Sequence, residues 1–334
     1  MSDLDQPPTP DCLLERLRRG AREATACLDR LDAADAETRK RALQAVQAVA
    51  EESPRSFSAL TRPLSVFLTD DDRAVRLTAA KLFVTLAQSE PAAVVSVADE
   101  LADRLADEGE FYYVRARSAE ALGYVAADSP DAVTDPETLA DLHIGLAFDE
   151  PEVREKLAKA LAYVAVGTPE RLRHHVDSLA DQLDDDNELV RYHLCTALVV
   201  VGCASPETLL DVAKPLRRQL GDENPYVRGR AAEALGLLAA SDAGVEIERE
   251  LESVATEDDA PSFLTDRVAF CRRQLATETS VEPPDGVGTI ESVRTGTDDV
   301  VEEMNASADG VCSHCGLVLS ETGPPMCPQC GAPR

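Results

Sequence analysis

The sequence predicts an all-α protein, a right-handed solenoid of about seven stacked helical hairpins followed by a small separate module. Three observations predict it: a Val-Arg pair that recurs at a nearly fixed interval, a Ser/Thr-Pro pair that recurs at the same interval, and a doubled Cys-x-x-Cys motif near the end.

The Val-Arg pairs are Val75-Arg76, Val114-Arg115, Val153-Arg154, Val190-Arg191 and Val227-Arg228, with arginines 39, 39, 37 and 37 residues apart. Arg39, preceded by Thr38, stands another 37 upstream. Each pair sits in a segment with apolar residues at helical spacing, such as Val227, Ala231, Ala234, Leu235 and Leu238. Ser53-Pro54, Glu90-Pro91, Ser129-Pro130, Thr168-Pro169 and Ser205-Pro206 are 37, 39, 39 and 37 apart. A capping Ser or Thr with proline at the first helical position reads as a helix start. Each period therefore holds two helices. Two short amphipathic helices do not bury their apolar faces alone, so a fixed period of this length means stacked units sharing one core.

The first unit begins near Asp11. The last, "PSFLTDRVAFCRRQLATE", keeps Leu264, Val268, Cys271 and Leu275 but has Thr265 in place of the arginine, as suits a terminal cap. The chain divides into an acidic disordered tail (1–10), the solenoid (11–276), a disordered acidic linker (277–310) and a terminal module (311–334). The linker carries nine acids against Arg294 alone, with few large apolar groups; "DDVVEEM" within it reads as a helical turn at most.

These units resemble HEAT repeats of the phycobilin-lyase type, whose second helices carry a "VRxxAAxALG" pattern; "VRGRAAEALG" matches it and "VRARSAEALG" matches it at all but one position. The resemblance covers residues 11–276. It implies a ladder in which an aspartate in the turn of a repeat meets the arginine of a second helix. Asp70, Asp185 and Asp222 lie six residues before their arginines, Asp149 lies five before Arg154, and Gly109 takes the place in the third repeat.

The chain carries 62 acidic and 33 basic residues, a formal charge of -29, and only five lysines. Such a charge repels itself at ordinary ionic strength, and the repulsion is screened at molar salt, where the Debye length falls to about 3 Å. The composition resembles that of proteins from salt-accumulating halophiles. No apolar run reaches the length of a membrane span, and the start has no signal-peptide pattern, so the expected location is cytoplasmic. Cys12, Cys27, Cys195, Cys203 and Cys271 read as small apolar fillers of a reducing compartment.

The other four cysteines, Cys312, Cys315, Cys327 and Cys330, form C-x2-C-x11-C-x2-C. Two Cys-x-x-Cys turns supply the four thiolates of a closed, structural zinc site. Gly316 and Gly331 come directly after the two pairs, and the segment resembles a minimal zinc ribbon with rubredoxin-type knuckles. The expected cofactor is structural zinc.

Enzymatic readings each carry a test. Deoxyhypusine hydroxylase resembles this architecture and binds iron through His-Glu pairs; none of the five histidines is followed by glutamate. His174 and His175 point about 100° apart on a helix and share no ligand face. No bilin pocket is identifiable. The acidic charge and the absence of tryptophan argue against broad nucleic-acid binding.

One pattern on the second helices suggests a binding surface. Arg41, Lys81, Arg117, Tyr124, Lys156, Lys159, Tyr163, His193 and Arg230 fall on columns three and seven residues apart, which share a helix face. Second helices line the concave face of HEAT proteins, so stacking would make a basic stripe for an acidic or extended protein partner. The competing reading is local pairing, since Arg117/Glu120 and Arg230/Glu233 are spaced as i,i+3 ion pairs. The expected role is a non-catalytic scaffold or adaptor. The runner-up readings are an enzyme subunit of the lyase-like or hydroxylase-like class, and nucleic-acid association through the ribbon.

Overall fold

The computed structural model of the protein describes residues 13, 15–16, 21–53, 57–241, 247–254, 260–276 and 286–307. The four cysteines of the expected zinc ribbon, the 1–10 tail and the first part of the 277–310 segment lie outside these residues. Among the described residues every regular element is helical. The second helices are Ala36–Glu52, Arg73–Ser89, Tyr112–Asp128, Pro151–Gly167, Glu188–Ala204, Pro225–Ala239 and Ser262–Leu275. Each packs on the next to make one row. Asp35, Asp72, Asn187 and Asn224 cap four of them, each side chain accepting a backbone N–H of the first turn.

The recurrent Ser/Thr-Pro pairs play a different part from the expected one. Ser129, Thr168 and Ser205 close the preceding long helix by donating their backbone N–H to Val125, Val164 and Val201. None makes a side-chain cap bond to the short helical turn after it. Proline does take the first position, but of a single turn such as Pro130–Ala132 or Pro169–Leu172. Between residues 57 and 219 the first half of each hairpin is thus a broken run of short helices, and the long second helix carries the continuity.

The valine of every Val-Arg pair is completely buried, which explains why it recurs: it is the residue each second helix inserts into the shared core. Backbones approach closely where side chains vanish. A Cβ on Gly167 would lie 1.9 Å from the carbonyl oxygen of Ala126 in the neighbouring long helix, so any other residue would force the two apart.

The arginines face the turns and form the ladder. Arg39 Nε lies 2.6 Å from Asp70, Arg154 Nε 2.6 Å from Asp185 and Arg191 Nε 2.6 Å from Asp222, each with a second bond from Nη2. Each arginine thus bridges to the aspartate one repeat onward. The same carboxylates accept a backbone N–H two residues on, from Asp72, Asn187 and Asn224. The third repeat departs from the expectation in two ways. Glu110, not Gly109, supplies its acid and receives Arg76 at 2.7 and 2.8 Å. The Asp149 carboxylate takes no rung: Arg115 donates instead to the Leu105 carbonyl and sits 4.9 Å over the ring of Phe148. Phe148 occupies the place six residues before Arg154 that aspartate fills elsewhere, so this rung is a cation on an aromatic face.

The largest departure lies in the segment read as a disordered linker. Ile290–Ser307 is an 18-residue helix. Val293, Thr297, Val300, Val301 and Met304 fall on one side and are all buried. They are too few to make a core of their own; the solenoid supplies the surface that covers them.

Candidate partner-binding face

The Ile290–Ser307 helix packs against the long helices Pro151–Gly167 and Glu188–Ala204. Its polar contacts spread further. Asp298 reaches Gln88, Tyr124 and Lys159 on the second, third and fourth long helices of the row, while Glu303 accepts from the Tyr226 hydroxyl on the sixth at 2.8 Å. One helix touched from long helices this far apart in sequence means that the row curves around it: the second helices line a groove. Direction is given by the same contacts. Gly288, ahead of the helix, is near Leu237 at the end of Pro225–Ala239, and Glu303 meets Tyr226 at its start. The groove helix therefore runs antiparallel to the helices around it.

Two clusters of charge lie along the groove. In the first, Glu120 is 4% exposed. It accepts from Arg117 at 2.6 Å and has Lys159 and Lys156 at 3.5 and 3.8 Å. Lys159 bridges onward to Asp298 at 3.1 Å, and the Tyr124 hydroxyl donates to the same carboxylate at 3.2 Å. Tyr124 and Tyr163 pack ring against ring at 4.7 Å, with the Lys159 ammonium 5.0 and 5.9 Å from their centroids. Burial pushes both phenols well above their ordinary range, and the nearby Asp298 charge pushes the same way; both are neutral hydrogen-bond donors. In the second cluster, Glu233 accepts from Arg230 at 2.8 Å, Arg267 at 2.9 Å and the backbone N–H of Gly288 at 2.8 Å. Gly288 has φ +77°, and a Cβ there would meet Phe270 at 2.7 Å. Only glycine brings the chain this close.

The predicted stripe is therefore gathered in part and corrected in part. Lys159, Tyr124 and Tyr163 do come together on the groove, though buried rather than exposed, with the half-buried Arg117 and Lys156 beside them. His193 and Arg230 are not the exposed ridge expected of them: both have no exposed surface. Arg230 lies against the rings of Tyr192 and Phe263, whose centroids are 5.5 and 5.3 Å away, because neighbouring long helices close over it. His193 is kept neutral by burial and by the adjacent Lys159, Lys156 and Arg230 charges. Arg41 is exposed and takes no part, and Lys81 is half-buried, its ammonium disfavoured by burial and by Arg117. Both local i,i+3 pairs also form, so pairing and groove lining coexist on the same helices.

Glu120 gives the first testable consequence. Burial raises its pKa, but Lys156, Arg117 and Lys159 outweigh burial and hold the carboxyl at about 2, against 4.5 for the ordinary group. A depressed pKa stabilises the fold above pH 4.5, and that stability is lost as pH falls through 4.5 towards 2. The loss should reach about 3 kcal/mol. Urea unfolding between about pH 5 and pH 3 measures the first part of it, about 2 kcal/mol. The wild type should lose more stability over that interval than Glu120→Gln, and equal slopes would refute the assignment.

Comparison with known proteins supports the fold reading. Residues 176–266 match the family model of HEAT repeats. The matched stretch includes the fifth and sixth long helices. Among solved structures, an engineered protein from the Northeast Structural Genomics Consortium is similar with a TM-score of 0.56 at 21% identity, over 66% of this chain and 99% of that one. A designed armadillo repeat protein is similar with a TM-score of 0.53 at 18% identity, over 65% of this chain and all of that one. Another, solved in complex with the peptide (KR)4, has a TM-score of 0.51 at 17% identity, over 65% of this chain and 99% of that one. At these identities the likeness is one of fold. Comparison with curated proteins finds no match. No helix among the described residues is long and apolar enough to cross a membrane.

Sequence reasoning missed Asp298, Arg294, Gly288 and Glu303. A signal was present: Val293, Thr297, Val300, Val301 and Met304 keep helical spacing, and Thr289 accepts the Ser292 N–H as an N-cap residue would. The acidic, glycine-containing composition hid it.

Proposed function

We propose that the protein is a non-catalytic adaptor whose second-helix groove binds a helical segment of a protein partner. The carrying observation is that this groove accepts a helix along its length: Ile290–Ser307 lies in it, held by apolar contacts and by Asp298 on Lys159 and Tyr124. Groove recognition of an amphipathic helix is a common mode of peptide binding, and a designed protein of similar fold was solved with a bound peptide. The terminal module is the second interaction surface. Four thiolates at Cys312, Cys315, Cys327 and Cys330 are the donor set of structural zinc. The acid-rich, lysine-poor composition suits the cytoplasm of a salt-accumulating cell.

The test of the groove is capture of partners at molar KCl, with wild type set against Lys159→Glu. The variant should lose the partners that wild type retains, and unchanged capture would place the binding surface elsewhere. Zinc is tested separately. Protein purified without chelator should carry one zinc per chain, with Zn–S distances of about 2.3 Å by X-ray absorption. Chelation should unfold the terminal module while the solenoid melts as before, because metal binding and folding of such a module are one event. Neither zinc nor iron in the purified protein would reject the ribbon.

A further inference from the structure

We propose that the groove recognises an acidic amphipathic helix by seating a carboxylate between Lys159 and Tyr124, and that Ile290–Ser307 is a resident, exchangeable copy of that ligand. The inference rests on the adaptor reading and names the chemistry of the partner and the device that controls access to it.

The groove helix behaves as a ligand in four respects. It is a single helix rather than a hairpin, its Val293-Arg294 pair makes no rung of the ladder, and it is joined to the last repeat only through residues 277–285 and a short turn. It complements its site in charge: Glu291, Asp298, Asp299, Glu302 and Glu303 stand against Arg294 alone, and Asp298 faces the lysine and the two tyrosines. Arg294 donates to the Ala127 carbonyl at 2.7 Å, anchoring the helix to the end of a long helix rather than to a carboxylate.

The fourth respect is its own weakness. The helix holds Val293, Thr295, Gly296, Thr297, Val300 and Val301, all poor helix formers, and a Cβ on Gly296 would meet nothing within 4 Å. That glycine is not needed for packing. A helix of this composition is marginal by itself and takes its order from the groove. A segment that folds where it docks also unfolds when it leaves, so it yields to a competitor without disturbing the hairpins beneath.

The contacts define the competitor: a helix with a carboxylate at one position, and apolar residues five before it and two, three and six after it. Those are the relations of Val293, Val300, Val301 and Met304 to Asp298. Because the resident copy is tethered by a short linker, its effective concentration is about millimolar. An untethered partner helix of equal affinity is thus held off, and one with better contacts displaces it.

The experiment uses the full chain with a protease site inserted between Thr279 and Ser280, and a fluorescent peptide of residues 286–307 as probe. Before cleavage, anisotropy should show little binding at micromolar peptide. After cleavage the apparent Kd should tighten at least tenfold, as the resident segment exchanges. A peptide carrying Asp298→Lys should bind at least tenfold more weakly, and one carrying Gly296→Ala about fivefold more tightly. In the uncut chain, Asp298→Lys should release the resident helix and admit the wild-type peptide. A cleaved chain that keeps its fragment against excess peptide, or that unfolds on cleavage, would make the helix an integral part of the solenoid and overturn the proposal. Equal binding of the Asp298→Lys peptide would overturn the carboxylate recognition. Failure of the adaptor reading looks different: the peptide exchanges as described, yet the released groove captures no Lys159-dependent partner.

Discussion

Replacing Glu233 by glutamine is expected to lower the unfolding free energy by about 3–5 kcal/mol, the usual cost of removing one partner from a buried ion pair. Glu233 and Arg230 have no exposed surface. One carboxylate oxygen accepts from Arg230 and Arg267, the other from the Gly288 N–H. Burial alone would raise the carboxyl pKa, but the two guanidinium groups hold it below the ordinary value. Glutamine keeps the shape and removes the charge, so a guanidinium without exposed surface would face a neutral amide. The check is the denaturant midpoint at unchanged slope. A loss under about 1 kcal/mol would mean that water reaches the cluster, because exposed pairs contribute no more than that. The same variant should loosen the turn at Gly288 and with it the groove helix, which protease sensitivity around residues 286–307 would report.

The second large effect belongs to the ladder. Arg191→Ala should cost about 3 kcal/mol, since it leaves Asp222, whose side chain is 5% exposed, without its bidentate partner. It also removes the Arg191 bond to the Asp185 carbonyl at 2.7 Å. Arg115→Ala should cost less, about 1–2 kcal/mol, because its neighbour is the Phe148 ring and no buried carboxylate is left behind. Thermal and urea unfolding of the two variants side by side check the difference, and the double variant Arg191→Leu/Asp222→Leu should recover much of the loss. If Arg115→Ala proves as costly as Arg191→Ala, the ladder is held by the carbonyl bonds common to both arginines and not by the carboxylates.

The repeats were readable because a local rule is applied again and again. A buried valine beside a turn-facing arginine recurs in five of the seven second helices, and the interval between copies needs no knowledge of tertiary contacts. Two details escaped the rule. The Ser/Thr-Pro pairs are legible as helix punctuation, but whether they close one helix or open the next depends on which backbone N–H finds a carbonyl. Residues Ser129, Thr168 and Ser205 close. The rung at Arg115 changed chemistry because Phe148 stands where the pattern has aspartate, and an arginine accepts either an acid or an aromatic face.

The groove was half legible. Columns three and seven residues apart correctly gathered Lys159, Tyr124 and Tyr163, since that geometry belongs to the helix itself. Exposure does not belong to the helix. His193 and Arg230 share those columns and are sealed, because Tyr192, Phe263 and the residues near Gly288 come from other parts of the chain.

By itself, then, the sequence determined the all-helical repeat, the period of the hairpins and the positions of the core valines and ladder arginines, all consequences of contacts within one repeat or between adjacent ones. The tertiary structure alone decided that the weak helical signal of Ile290–Ser307 prevails over its composition, and where the helix lies. The physical reason is the size of the terms involved. A segment with Gly296 among β-branched residues has too little helix propensity to declare itself. The apolar side that orders it is covered by long helices far earlier in the chain; the same distance in sequence separates Gln88 and Lys159 from the Asp298 they meet.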